Sequence, residues 1–143
     1  MSRGAVDLPA TAAALRTAVK LLAQRLRQQA RPGELSWSQE SVVSLLDRHG
    51  PLTITELARI EGVRSQSAGS TVASLEALGL VHREPHPTDG RQVLISLTEQ
   101  GERALALARD VKQNWLVGVL GERLTAEEQQ TVLAGVELLL RLV

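Results

Sequence analysis

The apolar residues recur every three or four positions over most of the chain, which predicts a mainly helical protein. The longest apolar seam opens the sequence in alternating steps of three and four residues: Ala12, Leu15, Val19, Leu22 and Leu26. Such a heptad-like seam is typical of a helix that packs against another helix. It predicts a first helix over residues 8–30, and we expect Pro32-Gly33 to end it.

Capping signals predict where the next helix lies. Ser36 and Gln39 have the spacing of a capping box, and Gly50 with Pro51 ends the segment. We expect Trp37 to pack at the start of this helix, because packing is the commoner role for such a residue. Four apolar residues should form the core face of the helix: Val42, Val43, Leu45 and Leu46.

Two further helices are predicted at the C-terminal end. Thr98 can cap a long helix through about Gly118, and Thr125 with Glu128 repeats the capping-box spacing ahead of a helix to about Leu142. The last helix has too many apolar residues for a terminal helix with nothing to cover: Val132, Leu133, Val136, Leu139 and Leu140. An exposed apolar stripe of this size indicates an interface.

The stretch from Ile54 to Leu97 reads as two short helices, a tight turn and a β-hairpin. Thr53 or Thr55 can cap the first helix, and Gly62, able to adopt a left-handed conformation, can end it. Its apolar side would be Leu57, Ala58 and Ile60, with Val63 plugging the turn that follows. We expect Ser65 to cap a second helix, whose buried stripe is Ala68, Val72, Leu75 and Leu78.

The opposite face of the second helix is small, polar and nearly uncharged. It consists of Arg64, Ser65, Gln66, Ser67, Ser70, Thr71 and Ser74. Hydroxyl-bearing residues lower helix propensity, so a face made of them needs a reason. Short hydroxyl and amide side chains allow a helix to approach phosphates and base edges closely. A merely polar, solvated helix remains the alternative interpretation.

A β-hairpin is predicted after Gly79, with strands over residues 80–83 and 92–97. The segment between them, EPHPTDG, has the composition of a turn, and Asp89-Gly90 predicts a left-handed bend. An isolated hairpin is only marginally stable. We therefore expect it to lean on the helices and to project a tip that carries His86, Asp89 and Arg91.

Composition limits the classes of function. Sixteen basic and sixteen acidic residues give a formal net charge of +0, so nucleic-acid binding would require an uneven distribution of charge. Cysteine is absent, which excludes disulfides, thiolate metal sites and cysteine redox sensing. The sequence has neither an apolar run of membrane-spanning length nor the apolar core of a signal peptide. We expect a cytoplasmic protein of one domain with no membrane association.

Catalysis and metal binding have little support. The histidines are His49, His82 and His86, and no serine, histidine and carboxylate pattern or glycine-rich phosphate loop is present. His82 and His86 alone make a weak metal site. We therefore predict no enzyme, no cofactor and no metal. A protein-docking module without DNA binding is the open alternative, against which Arg91 at a protruding tip argues.

The order of these motifs resembles the MarR family of bacterial transcription regulators. The resemblance rests on GV before the Ser-rich helix, on SLEALGLV at its end, and on DGR followed by VLISLTEQG. It implies a mainly α winged helix-turn-helix fold over residues 36–97 within a single domain of residues 1–143. Six polar residues of the second helix would face the major groove: Ser65, Gln66, Ser67, Ser70, Thr71 and Ser74. Arg91, oriented by Asp89, would enter the minor groove.

The resemblance also implies how such a protein works. Residues 8–30 and 98–143 would form a homodimer that places two recognition helices about 34–36 Å apart on a pseudo-palindromic double-stranded DNA operator. Family members commonly repress genes and release DNA when a small aromatic or phenolic anion binds between the dimer helices and the winged unit. The expected lining of that effector site is Leu15, Arg16, Val19, Trp37, Leu46 and Trp115, although ordinary core packing is the competing interpretation.

Overall fold

The computed structural model describes residues 4–31 and 33–143, so the predicted helix-ending Pro32 lies outside the described residues. Within these ranges the chain is mainly helical and carries one small sheet. The elements are α1 (Leu8–Arg27), α2 (Trp37–His49), β1 (Leu52–Thr53), α3 (Ile54–Glu61), α4 (Ser65–Ala77), β2 (Val81–Pro85), β3 (Val93–Leu97), α5 (Glu99–Arg123), α6 (Ala126–Leu139) and a 3-10 turn (Leu140–Leu142).

The sheet has three antiparallel strands in the order β1-β3-β2. The hairpin of β2 and β3 is confirmed, and β1 adds a third strand by pairing Leu52 with Ile95. The sequence did not reveal β1, because two residues are too few to show alternation. Pro85, which has no N–H to donate, ends β2 at the sheet edge, where proline is tolerated.

The core lies where helices α2, α3 and α4 meet the sheet and α5. Its fully or nearly fully buried apolar residues are Leu35, Val42, Val43, Leu46, Leu52, Leu57, Val72, Leu75, Leu80, Val81, Ile95 and Leu105. Three residues that the pattern placed inside are exposed instead: Leu78 by 54%, and Ile60 and Val63 by 43% each. Leu78 caps the end of α4, beyond the core, and the backbone N–H of Val63 closes its turn by donating to the Ala58 carbonyl at 3.0 Å.

Most helix termini follow the predicted capping chemistry. The capping boxes Ser36–Gln39 and Thr125–Glu128 are present, and Thr53 rather than Thr55 caps α3. The backbone N–H of Thr125 donates to the Glu128 carboxylate at 2.9 Å, and the Thr125 hydroxyl accepts the backbone N–H of Glu128 at 3.2 Å. The Thr125 backbone bond, and to a lesser extent the Thr125 side chain, lower the pKa of Glu128. These boxes satisfy amides that a helix start otherwise leaves unpaired.

Four local predictions were wrong. Ser65 does not cap α4, because Arg64 occupies the N-cap position without a side-chain bond. Gly90 is not among the glycines with a positive φ, since backbone bonds around Asp89 close the turn without a left-handed residue. Helix α1 ends at Arg27, and α5 runs past Gly118 to Arg123.

Helix α5 is fastened to the hairpin at Gly101. The Thr98 hydroxyl donates to the Gly79 carbonyl at 2.7 Å and accepts the Gly101 N–H at 3.0 Å. A Cβ at Gly101 would lie 2.1 Å from the Leu80 carbonyl oxygen. Only glycine allows this close approach of a helix to the start of β2.

Helices α1 and α6 contribute no buried residue to the folded chain. Their apolar side chains are largely exposed, among them Val19, Leu22, Leu133, Val136 and Leu139. No helix in the described ranges combines the length and the apolar character needed to cross a membrane.

Candidate nucleic-acid interface

The polar face of α4 is exposed along the first half of the helix. Ala68, Val72 and Leu75 are buried on the opposite side, and this packing turns the polar residues outward. Five of the seven predicted contact residues are exposed and form no side-chain hydrogen bond within the described part of the chain: Arg64, Ser65, Gln66, Ser67 and Ser70. Their donors and acceptors are therefore available to a ligand.

Thr71 and Ser74, the other two, are engaged within the protein. The Thr71 hydroxyl, which is partly buried, donates to the Ser67 carbonyl at 3.1 Å. The Ser74 hydroxyl donates to the Thr71 carbonyl at 2.6 Å and accepts from Gln39 Nε2 at 3.2 Å. The structure thus separates a ligand-accessible front of α4 from a rear turn that is bonded to α2.

The hairpin tip is ordered by two side chains that bond to its backbone. Asp89 Oδ1 accepts the N–H of Arg91 at 3.1 Å, so Asp89 orients the Arg91 backbone rather than its guanidinium. His86 Nδ1 accepts the N–H groups of Thr88 at 3.2 Å and Asp89 at 3.1 Å. These contacts hold Arg91 exposed at the tip.

Unpaired arginines lie at both ends of this surface. Within the described residues, neither Arg64 at the start of α4 nor Arg91 at the hairpin tip has a carboxylate at ion-pair distance. Arg83 differs, since its Nε donates to Glu76 at 2.8 Å and joins β2 to α4. A guanidinium without an internal partner is suited to bidentate binding of a phosphate or a base edge.

Several residues that shape the interface were not predicted. Gln39 was recognised only as a helix cap, and the Glu76–Arg83 and Glu40–Lys112 ion pairs were not foreseen. Gln39 bonds Ser74, 35 positions away, and Glu40 bonds Lys112, 72 positions away, whereas Glu76 and Arg83 are 7 positions apart on different elements. No periodicity in the sequence indicates such pairings.

Of the six residues predicted to line an effector site, Trp37 and Leu46 border two different cavities. Leu46 is a core residue with 3% exposure. Trp37 is 50% exposed and lies beneath the Arg27 guanidinium, 4.1 Å from the ring centroid. Leu15 and Trp115 are partly buried, whereas Arg16 and Val19 are exposed on α1.

A different cavity, of about 330 Å³, lies between the α1–α2 connection, the end of α4 and α5. None of the six predicted residues lines it. Its lining is mostly apolar and consists of Arg31, Gly33, Glu34, Leu35, Leu78, Leu80, Gln100, Ala104, Leu107, Ala108 and Val111. The exposed Leu78 is explained by this cavity, which it borders.

The histidines lie at structural positions. His49 is the last residue of α2, where a positive charge would interact favourably with the helix dipole. His82 bonds Glu84, and His86 bonds the hairpin backbone. Within residues 4–31 and 33–143, no three His, Cys, Asp or Glu side chains are grouped so that they could hold a metal ion.

Comparison with known proteins places this architecture in a family. The sequence profile of the MarR family matches residues 35–92. An HTH-type transcriptional regulator of Mycobacterium leprae is 43% identical over 103 residues, which is 72% of each chain. An HTH-type transcriptional regulator of Mycobacterium bovis is 38% identical over 129 residues, which is 90% of each chain. A solved transcriptional regulator of Pseudomonas aeruginosa superposes with a TM-score of 0.81 at 32% identity, covering 96% of this chain and 97% of its own. The chain belongs to the MarR family of winged helix-turn-helix transcription regulators.

Proposed function

We propose that the chain is a homodimeric repressor that binds a pseudo-palindromic DNA operator. In this proposal α4 enters the major groove, and the β2–β3 hairpin, the wing, inserts Arg91 into the adjacent minor groove. The observation that carries the proposal is the exposed, uncharged front of α4, together with Arg64 at its start and Arg91 at the hairpin tip, neither of which is paired with a carboxylate of the described residues. A repressor of this kind acts where the chromosome lies, in the bacterial cytoplasm.

Local charge, not net charge, supplies the attraction to phosphates in this account. The chain has a formal net charge of +0, so non-specific attraction to DNA should be weak and confined to this surface. Phosphate contacts release counterions, and affinity should therefore fall steeply as salt rises. An affinity that does not depend on salt, or none at all, would favour the docking-module alternative.

Arg91→Ala tests the wing. We expect the variant to stay folded and dimeric and to lose about 1–3 kcal/mol of operator binding, because a groove contact disappears. Fluorescence anisotropy with labelled operator measures the loss. The matched control is Arg103→Ala, which removes the same charge from α5, where Arg103 pairs with Glu99. If the Arg91 and Arg103 variants bind equally well, the wing has no part in recognition.

Dimerisation is proposed for residues 8–30 and 98–143, because α1 and α6 expose apolar stripes that no described residue of the chain covers. A two-fold dimer would bury both copies of these stripes. Leu139→Glu should give monomers by sedimentation velocity, since it places a charge within the stripe. Gln130→Glu adds the same charge at a polar, exposed position of α6 and should remain dimeric. A dimeric Leu139 variant would locate the interface elsewhere.

Release by a small aromatic or phenolic anion is the remaining part of the proposal. The cavity bordered by Leu78, Leu80 and Val111 supports it, because its lining is mostly apolar and includes one basic residue, Arg31, together with the acidic Glu34. The cavity touches both α5 and the end of α4. A ligand there shifts DNA binding only as far as it prefers one arrangement of these helices over another.

A further inference from the structure

The first turn of α2 contacts three other helices through three neighbouring side chains, which we call the α2 joint: Trp37, Gln39 and Glu40. Trp37 lies beneath Arg27 of α1, and Glu40 forms an ion pair with Lys112 of α5. Gln39 donates to Ser74 of α4 at 3.2 Å. The joint therefore connects α4 to α1 and α5, two of the three helices in the proposed dimerisation regions.

We infer that Gln39 is a positioning residue, which sets the orientation of α4 and thereby the preference for operator over other DNA. The inference rests on the proposed function, since it assumes that α4 reads DNA. It also assigns Ser74 a new role: its hydroxyl acts through Gln39 instead of contacting a base.

The bonding of Gln39 explains why an amide is needed at this position. Gln39 Oε1 accepts the backbone N–H of Ser36 at 2.9 Å, which completes the cap of α2, while Nε2 donates to Ser74. A glutamate could complete the cap but has no N–H to donate. One side chain thus fixes the start of α2 and the rear turn of α4 together.

The bonding of Ser74 supports the same conclusion. Its single hydroxyl proton is directed to the Thr71 carbonyl at 2.6 Å, and its oxygen receives the Gln39 amide. The side chains of Glu40 and Lys112 are only 17% and 18% exposed. This largely buried ion pair joins α2 to α5 beside Gln39 and should resist displacement. The start of α2 is therefore held in place, and the Gln39 amide can hold α4 in turn.

A double-mutant cycle tests this inference. Gln39→Glu, Ser74→Ala and the double variant are compared with the unchanged protein for binding to a selected operator and to a scrambled duplex of equal length. The measured quantity is the ratio of the two affinities, in which the charge added by Gln39→Glu cancels. Gln39→Met, a neutral variant without the donor, repeats the comparison, and melting temperatures report stability separately.

We expect each single variant to lower the affinity ratio by about 3- to 10-fold, the range of one neutral hydrogen bond. The double variant should lose no more than either single one, because both changes break the same contact. Affinity for the scrambled duplex should be the same for Gln39→Met and the unchanged protein. Loss of stability alone would not produce this pattern.

Two results would overturn the inference. If Ser74→Ala lowers the affinity ratio by the same factor whether Gln39 is present or replaced, Ser74 contacts DNA by itself. An unchanged ratio for both Gln39→Glu and Gln39→Met would show that Gln39 serves only as a cap. If the unchanged protein itself fails to prefer any DNA sequence, the proposed function fails as well, and this outcome is distinct from the other two.

Discussion

Replacing Gly101 with alanine tests how tightly α5 is joined to the winged unit. The new Cβ would lie 2.1 Å from the Leu80 carbonyl oxygen and 2.7 Å from Leu97 Cδ1. The Leu97 methyl group can rotate away. The carbonyl cannot move alone, because it accepts the backbone N–H of Thr98 at 3.0 Å. An ordinary carbon–oxygen contact needs about 3.3–3.6 Å, so α5 and β2 must separate.

The expected cost follows from these contacts. Overpacking of a well-packed site costs about 1–3 kcal/mol, and weakening the Thr98–Leu80 bond adds about 0.5–1.5 kcal/mol. Alanine regains about 1 kcal/mol through its better helix propensity. We therefore expect Gly101→Ala to lower the free energy of unfolding by about 1–3 kcal/mol. For a chain of this size the melting temperature should fall by roughly 4–12 °C.

Circular dichroism during heating and urea titration measures this loss. Gly69→Ala is the matched control, because a Cβ on Gly69 in α4 would only meet Ile54 Cδ1 at 3.9 Å, an ordinary contact. That variant should gain about 0.5–1 kcal/mol. If Gly101→Ala melts at or above the temperature of the unchanged protein, the close approach of α5 to Leu80 is not a feature of the fold.

Two more predictions concern the wing and α6. Changing both Pro85 and Pro87 to glycine should weaken operator binding more than it lowers the melting temperature, because both prolines restrict an exposed hairpin. A large fall in melting temperature would show instead that the hairpin belongs to the core. Glu128 should titrate below about 4.3, the usual glutamate pKa, since the Thr125 N–H stabilises its charged form. The cap therefore stabilises α6 when the pH is above the usual glutamate pKa, and this stabilisation is lost as the pH falls through the lowered pKa of Glu128. An NMR titration that gives Glu128 a pKa at or above 4.3 would contradict this.

Local chemistry made most of the fold predictable. Capping boxes and glycines act within a few residues, so the starts of α2 and α6, the left-handed turn at Gly62 and the end of α4 before Gly79 could be located from the sequence. Predictions failed where two local solutions compete. At α4 the backbone begins the helix without the hydroxyl of Ser65, and at the wing tip bonds around Asp89 replace a left-handed Gly90.

For the candidate site, the sequence predicted which face of α4 is exposed, but not which residues of that face are free to bind DNA. Three-and-four spacing showed which side of α4 packs inward, and the exposed polar residues follow from it. Which of them are available to DNA depends on contacts across the fold, such as Gln39 with Ser74. The cavity between the α1–α2 connection, the end of α4 and α5 was not predicted, for a similar reason. Its lining is set by how α5 crosses the end of α4, and residue types alone do not reveal that crossing.

The central claim, that two copies of α4 read one operator, is tested most directly by selecting bound sequences from a random DNA pool at two salt concentrations. We expect enrichment of an inverted repeat whose half-sites lie about one helical turn, or 34–36 Å, apart. Retention should fall as salt rises. Enrichment of no sequence, together with little retention even at low salt, would contradict the claim.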